Sequence, residues 1–217
     1  MHEAARRFAH NGYHPTSVAD VVDAVGVGKG VFYWYFSSKE ELFVEILRDA
    51  QYAMRKRQQA LIGAEPDPVR RIELGMLASM EWFSENRHIF NLFQFAATED
   101  AFEPTLREGQ DVALADAMRH VKEGMTEGRL RDGDPFLVTN AIVGVSNQLA
   151  REFIFHRNDP PREVAEAASA FLLYGLLGVS PDADPVRCAA PLAARNSSTA
   201  SATTSSTVAS ADASTGA

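Results

Sequence analysis

The stretch from Thr16 to Leu42, TSVADVVDAVGVGKGVFYWYFSSKEEL, restricts the fold more than any other part of the chain. Val18, Val21, Val22 and Val25 recur at i, i+3, i+4 and i+7, which places them on one apolar face of a helix. Ser17 stands before that face and can cap it by accepting a backbone N–H bond. Asp20 falls in the first turn, where the helix dipole favours an anion. Gly26 ends the helix, because glycine enters a left-handed cap without a Cβ penalty. Val27 is expected to tuck between this helix and the next, which runs from near Gly28 to Tyr35. Ser38 and Glu41 have the S-x-x-E spacing of a capping box and open a longer helix over 39–61, with Leu42, Phe43, Ile46, Leu47 and Ala50 as its stripe.

Two short helices joined by a glycine turn make a helix-turn-helix, whose second helix lies in the major groove of DNA. Here that helix reads KGVFYWYF. Lys29 can neutralise a phosphate or reach a guanine edge, and Val31 can touch a thymine methyl. Tyr33 and Tyr35 offer hydroxyls to phosphates, and Gly30 lets the backbone come close. Phe32 and Phe36, at i and i+4, supply the core-facing side.

The stretch resembles the DNA-binding domain of TetR (tetracycline-repressor-like) transcriptional regulators. Thr16, Val21, Val25, Gly26, Val27, Gly30, Tyr33, Phe36, Lys39 and Leu42 carry the resemblance, which covers about residues 1–50. Gly28 stands where the family usually has serine, which weakens the cap of the second helix, and Val22 stands where it has a small alanine. The resemblance implies that Ser17 and Lys39 hold phosphates while Lys29, Gly30, Val31, Tyr33, Trp34 and Tyr35 face the groove, with Thr16 also among the DNA-binding residues. It also implies a dimer, with the last two helices and their mates forming a four-helix seam.

A net charge of −8 looks wrong for a DNA binder until it is divided along the chain. Residues 1–57 carry 8 Lys+Arg against 7 Asp+Glu, a net +1, and residues 58–217 carry 13 against 22, a net −9. One end can meet phosphate while the rest repels it. The single cysteine, Cys188, excludes an internal disulfide and suits a reducing cytoplasm. No apolar run reaches the length of a membrane span, so no membrane partner is expected.

The remaining chain reads as helical throughout, which makes the fold all-α. Asp67-Pro68 and Asp134-Pro135 pair a cap with proline at the first helical position, and Asn86, Pro104 and Asp159-Pro160-Pro161 mark further starts. Gly128–Gly133 is a polar connection, and Arg55, Lys56 and Arg57 read as a solvated basic face. Residues 136–155 are apolar on more than one face, which calls for burial on two sides. Leu149 and Gly175 are expected in the resulting dimer seam. Three segments follow: a helix-turn-helix domain over 1–50 with its motif at about 17–36, a helical effector-binding and dimerisation domain over 51–179, and a Pro/Ala/Ser/Thr tail over 180–217, too poor in apolar groups to fold.

The body carries the candidate small-molecule site. Trp82, Phe83, Phe90 and Phe93 supply apolar surface, Gln94 a polar group among them, and Met118, Asn140 and Asn147 come from later helices. An apolar or aromatic effector fits that lining. Enzyme chemistry finds no footing: GVGKG lacks the phosphate-loop spacing and its preceding strand, Ser146 lacks a nucleophile elbow, and no His or Cys has zinc spacing. No cofactor, metal or catalytic residue is expected. The expected function is a homodimeric regulator, more readily a repressor, that leaves double-stranded operator DNA when an effector binds. The alternative is a dimeric small-molecule-binding protein without DNA binding. The first helix, over residues 3–11, is shorter than the resemblance implies, and a start upstream of Met1 is a further expectation.

Overall fold

The computed structural model describes residues 1–176, and every regular element among them is helical. The expected tail over 180–217, with Cys188, lies outside the described residues. Helix α1 spans His2–Asn11, α2 Val18–Val25, α3 Lys29–Tyr35 and α4 Lys39–Ile62. These are followed by α5 (Pro68–Glu85), α6 (Arg87–Ala96), α7 (Glu103–Thr126), α8 (Pro135–Leu149) and α9 (Pro161–Ser169). Both α8 and α9 run on as wider π-helical turns, over Ala150–His156 and Ala170–Leu176.

The helix starts follow from local chemistry. Asp67 Oδ1 accepts from the Val69 amide at 2.9 Å, and Asp134 Oδ1 from the Phe136 amide at 2.9 Å, each just before a proline. Both groups take up a donor that the helix cannot satisfy itself. The Asp159-Pro160-Pro161 start differs: Pro160 occupies the cap of α9, and no side chain bonds there. Ser38 caps α4 by accepting from the Glu41 amide at 3.1 Å. The Glu41 carboxylate does not return the bond to Ser38; it takes the Ser37 amide and hydroxyl, both at 2.5 Å, one residue earlier than a capping box requires.

Two hydrophobic clusters form the interior. The first joins α1, α2 and α3 to the first half of α4 through Phe8, Val21, Val22, Phe32, Phe43 and Leu47, and it continues into Trp82, Ile89, Leu92, Ala96 and Phe102 of the body. Packing therefore runs across the expected boundary at residue 50. The second cluster gathers Val69, Met80, Val121, Ile142, Ile154, Ala168 and Leu172 from α5, α7, α8 and α9. Leu130 is buried in it although it lies in the polar connection, and it packs so closely on Gly124 that a Cβ there would stand 2.9 Å from Leu130 Cδ1.

Helix α4 is shared by both halves. Its first three turns bury Leu42, Phe43, Ile46 and Leu47 in the first cluster, and its last turns face α5 and α7. Anything that shifts the lower end of α4 acts on the element that positions α1–α3.

The π-helical turn at the end of α8 has a visible cause. Arg87 Nη1 donates to the Ile154 carbonyl at 2.9 Å and Nη2 to the Phe155 carbonyl at 2.7 Å. Nη1 also donates to Asn158 Oδ1 at 3.1 Å. The guanidinium thus satisfies carbonyls that the wider turn leaves open, and Asn158, at φ 59°, ends it in a left-handed conformation that asparagine tolerates.

Candidate nucleic-acid interface and cavity

The turn between α2 and α3 is built as the residues require. Gly26 sits at φ 76° and ψ 32°, a left-handed cap, and its amide bonds the Val22 carbonyl. Ser17 and Asp20 form a reciprocal capping box: the Asp20 amide donates to Ser17 Oγ at 3.2 Å, and the Ser17 amide donates to Asp20 Oδ2 at 2.8 Å. Those bonds from Ser17 hold the Asp20 carboxyl below its usual range. Val21 and Val22 are buried, whereas Val25 and Val27 are exposed, so Val27 does not fill the gap between the helices. Val18 packs against the same cluster, so only Val25, the last residue of α2, leaves the face.

Helix α3 presents its outer side to solvent. Val31, Tyr33, Trp34 and Tyr35 are exposed, Trp34 at 79%, while Phe32 is buried beneath them. Lys29 and Gly30 are exposed as well. No atom lies within 4 Å of where a Cβ on Gly30 would stand, so glycine there answers to no contact inside the chain. Gly28 caps α3 without a side-chain bond, in line with the serine it replaces.

Three expected backbone contacts fare differently. Thr16 is only 1% exposed and donates its hydroxyl to the Gly12 carbonyl at 2.7 Å, so its side chain braces the loop after α1. Ser17 is exposed, but its hydroxyl donates to Asp20 Oδ2 at 2.7 Å. Lys39 Nζ donates to the carbonyls of Tyr13 at 3.0 Å, His14 at 3.3 Å and Thr16 at 3.0 Å. An ammonium has three protons, and all three are engaged inside the chain. Lys39 therefore serves as an internal tie in the DNA-free chain. Of the expected solvated basic face, Lys56 and Arg57 are exposed, Arg57 lying 3.5 Å from both Glu81 and Glu85, whereas Arg55 is half-buried and bonds Asp116 Oδ2 at 3.0 and 3.1 Å.

Behind this head, α4, α5, α6, α7 and α8 line a partly open cavity of about 380 Å³. Of the expected lining, Phe83, Phe90, Phe93, Gln94 and Asn147 reach it. Trp82 packs in the first hydrophobic cluster instead, Met118 is not in the wall, and Asn140 donates to the Phe136 carbonyl of its own helix at 2.9 Å. Polar residues missed by the sequence reading line the rest, among them Gln51, Arg55 and Gln58 of α4, Arg71 of α5 and His120 of α7. Their signal was periodic: Gln51, Arg55 and Gln58 continue one side of α4 at spacings of 4 and 3.

On the far side of α8, Phe136 and Leu137 are exposed, as is Phe171 beyond α9. Leu149 turns inward against the second cluster. The side-chain surroundings of Gly175 lie outside the described residues.

A capped helix-turn-helix with an open second helix, set on a helical body with an internal cavity, defines a DNA-binding protein. Residues 1–46 match the profile of the bacterial regulatory proteins of the tetR family. Those residues carry that family's DNA-binding domain, and the chain is a DNA-binding transcriptional regulator. It is 26% identical over 183 residues to the HTH-type transcriptional regulator YdgC of Bacillus subtilis, covering 80% of this chain and 89% of that protein. It is 30% identical over 101 residues to the HTH-type transcriptional repressor KstR2 of Mycobacterium tuberculosis, covering 46% of this chain and 50% of that one. Among solved structures it resembles the TetR family regulator PfmR of Thermus thermophilus, with a TM-score of 0.67, 28% identity and coverage of 80% and 96%. Regulators of this family bind DNA operators and act as dimers.

Proposed function

We propose that this protein is a homodimeric repressor whose grip on its operator is released when a small molecule enters the cavity behind the reading head. The observation that carries the reading is the double use of α4. Its first half is core to the head, and Gln51, Met54, Arg55, Gln58, Gln59 and Ile62 of its second half wall the cavity. A ligand that displaces the lower end moves the α3 helices of the two protomers relative to each other, and two half-sites about 34–36 Å apart no longer match them. The ligand must bind the released state better than the DNA-bound state, and a coupling of ~1–3 kcal/mol is typical. Repression is supported by the relatives named repressors, KstR2 among them.

In this reading, residues 1–50 contact DNA, chiefly through Lys29, Gly30, Val31, Tyr33, Trp34 and Tyr35, and residues 51–179 bind effector and partner. The experiment is fluorescence anisotropy with duplexes tiled across the DNA flanking the gene, using the wild type and Trp34→Ala. Sequence-selective binding that is weakened at least tenfold by Trp34→Ala, with an unchanged thermal midpoint, supports the reading. Absence of selective binding to any tile would leave a small-molecule-binding protein without DNA recognition.

A further inference from the structure

The cavity has two chemically different ends. On α5 it is lined by Arg71, Ile72, Gly75, Met76, Ser79 and Phe83, one or two residues on each turn. From Arg71 to Phe83 the helix rises roughly 18 Å, at 1.5 Å per residue. The space is therefore elongated along α5. At the Phe83 end stand the apolar Phe90, Phe93, Met54 and Leu106, with Gln51 and Gln94 beside them. At the Arg71 end stand His120 and Arg119.

Charge in the wall as a whole is unbalanced. Three arginines and one aspartate are in the wall: Arg55, Arg71, Arg119 and Asp116. Asp116 is taken by Arg55, with Arg119 Nη2 also 3.4 Å from its other oxygen. Arg71 pairs through Nη2 with Glu123 outside the wall, at 2.5 Å, and with the Pro66 carbonyl at 3.1 Å. Its Nη1 lies 3.3 Å from His120 Nδ1. Its Nε is buried and has no partner. A buried N–H left unmade is costly, and a ligand oxygen would recover that cost.

The imidazole adds a second donor. A guanidinium only donates, so His120 Nδ1 accepts from Arg71 and its proton sits on Nε2. Burial first, then the neighbouring charges of Arg71 and Arg119, pushes the His120 pKa down, which keeps the ring neutral. Two unused donors beside a net positive wall recognise an anion, and a carboxylate oxygen pair suits a guanidinium edge.

We propose that the effector is an elongated amphipathic carboxylate, its head group held by Arg71 and His120 and its apolar body lying toward Phe83, Phe90 and Phe93. This rests on the cavity being the effector site.

Two matched probe pairs test it: dodecanoate against 1-dodecanol, and 6-phenylhexanoate against 6-phenylhexan-1-ol. Binding is measured by isothermal titration calorimetry on the full chain, with operator release scored separately by anisotropy. In the wild type at least one acid should bind tenfold or more tighter than its alcohol. In Arg71→Met that ratio should collapse toward one, with the alcohol's affinity unchanged, and Arg71→Lys should restore part of it. Should Arg71→Met lose its thermal transition, His120→Phe carries the test, with an expected threefold or greater fall in the ratio. Equal binding of acid and alcohol, binding of neither, or a ratio that survives both variants overturns the head-group assignment. Acid-selective binding that depends on Arg71 but releases no DNA upholds the assignment and removes the effector reading instead.

Discussion

The ammonium of Lys39 lies 4.3 Å from the centroid of the Tyr13 ring and donates to the Tyr13 carbonyl at 3.0 Å. The same ring sends its hydroxyl to Glu40 Oε1 at 3.0 Å, so the first turn of α4 grips one residue of the α1–α2 link from both ends. Burial and the Glu40 bond together push the Tyr13 pKa well up, which keeps the phenol protonated. The grip matters because Tyr13 also packs edge to face on Phe102 at 5.2 Å, a residue at the start of α7. Head and body meet on that ring.

Lys39→Ala should therefore act through stability before it acts through charge. Losing a cation–π contact and three charge-assisted bonds, all partly solvated, costs about 1–3 kcal/mol. The thermal midpoint should fall, and operator affinity should fall with it. The slope of log K against log salt should change by less than the roughly 0.9 unit expected for one lost phosphate contact. A full unit of slope lost with an unchanged midpoint would restore Lys39 to the DNA backbone.

Much of this fold is written in short-range signals. Ser17, Gly26, Ser38, Asp67-Pro68 and Asp134-Pro135 each act on their own or the next turn, and each stands where the sequence places it. What the sequence conceals is which side of a helix faces what. Thr16 reads as a polar surface residue, yet the Gly12 carbonyl needs its hydroxyl inside. The run MRKRQQ reads as solvated because α4 changes partners midway, and its second half faces a polar cavity in place of an apolar core. Trp82 reads as cavity lining because aromatic residues crowd its neighbourhood, and only three-dimensional packing sends Trp82 one way and Phe83 the other. The π-helical turn after α8 depends on Arg87, more than sixty positions upstream, and no local pattern reveals it.

Gly75 offers a way to close the cavity from within. It lies in mid-α5, and a Cβ there would meet Ile62 Cδ1 at 3.7 Å, an ordinary contact. Replacing a helical glycine gains roughly 0.5–1 kcal/mol from the backbone alone. Gly75→Leu should raise the midpoint by about 2–4 °C. It should keep operator binding within a factor of two or so and abolish release by any ligand that releases the wild type. Calorimetry and anisotropy on the same preparation check both halves.

Acid should weaken the fold in two separable steps. His88 and His120 have folded pKa values below 6.5: burial comes first for both, then His2 and Arg6 for His88, and Arg71 and Arg119 for His120. A depressed histidine makes the unfolded chain bind more protons, so stability is complete above 6.5 and is lost as pH falls from there through the folded value. Asp20, Glu40 and Glu41 are depressed from 3.8, 4.5 and 4.5, so their contributions are lost only at lower pH. Melting between pH 7.5 and 5.5 should show a falling midpoint. His88→Gln should flatten part of that fall and leave the decline below pH 4.5 as it was. An unchanged slope in the variant would assign the first step elsewhere.

Assembly can be tested on a residue that the protomer itself does not need. Leu137 is 64% exposed, and Ala141, Gly144 and Gln148 follow it on the exposed side of α8 at spacings of 4, 3 and 4. Phe136 and Phe171 are also more than half exposed. A leucine so open contributes little to the fold of one chain, so Leu137→Glu should shift stability of the isolated protomer by no more than about 0.5 kcal/mol. In a dimer seam the same change buries an unpaired carboxylate, which costs several kcal/mol. Sedimentation at micromolar concentration should then give a folded monomer where the wild type gives a dimer. Operator affinity should fall steeply, because each head would hold only one half-site. A Leu137→Glu protein that sediments as the wild type does would place the seam on another face.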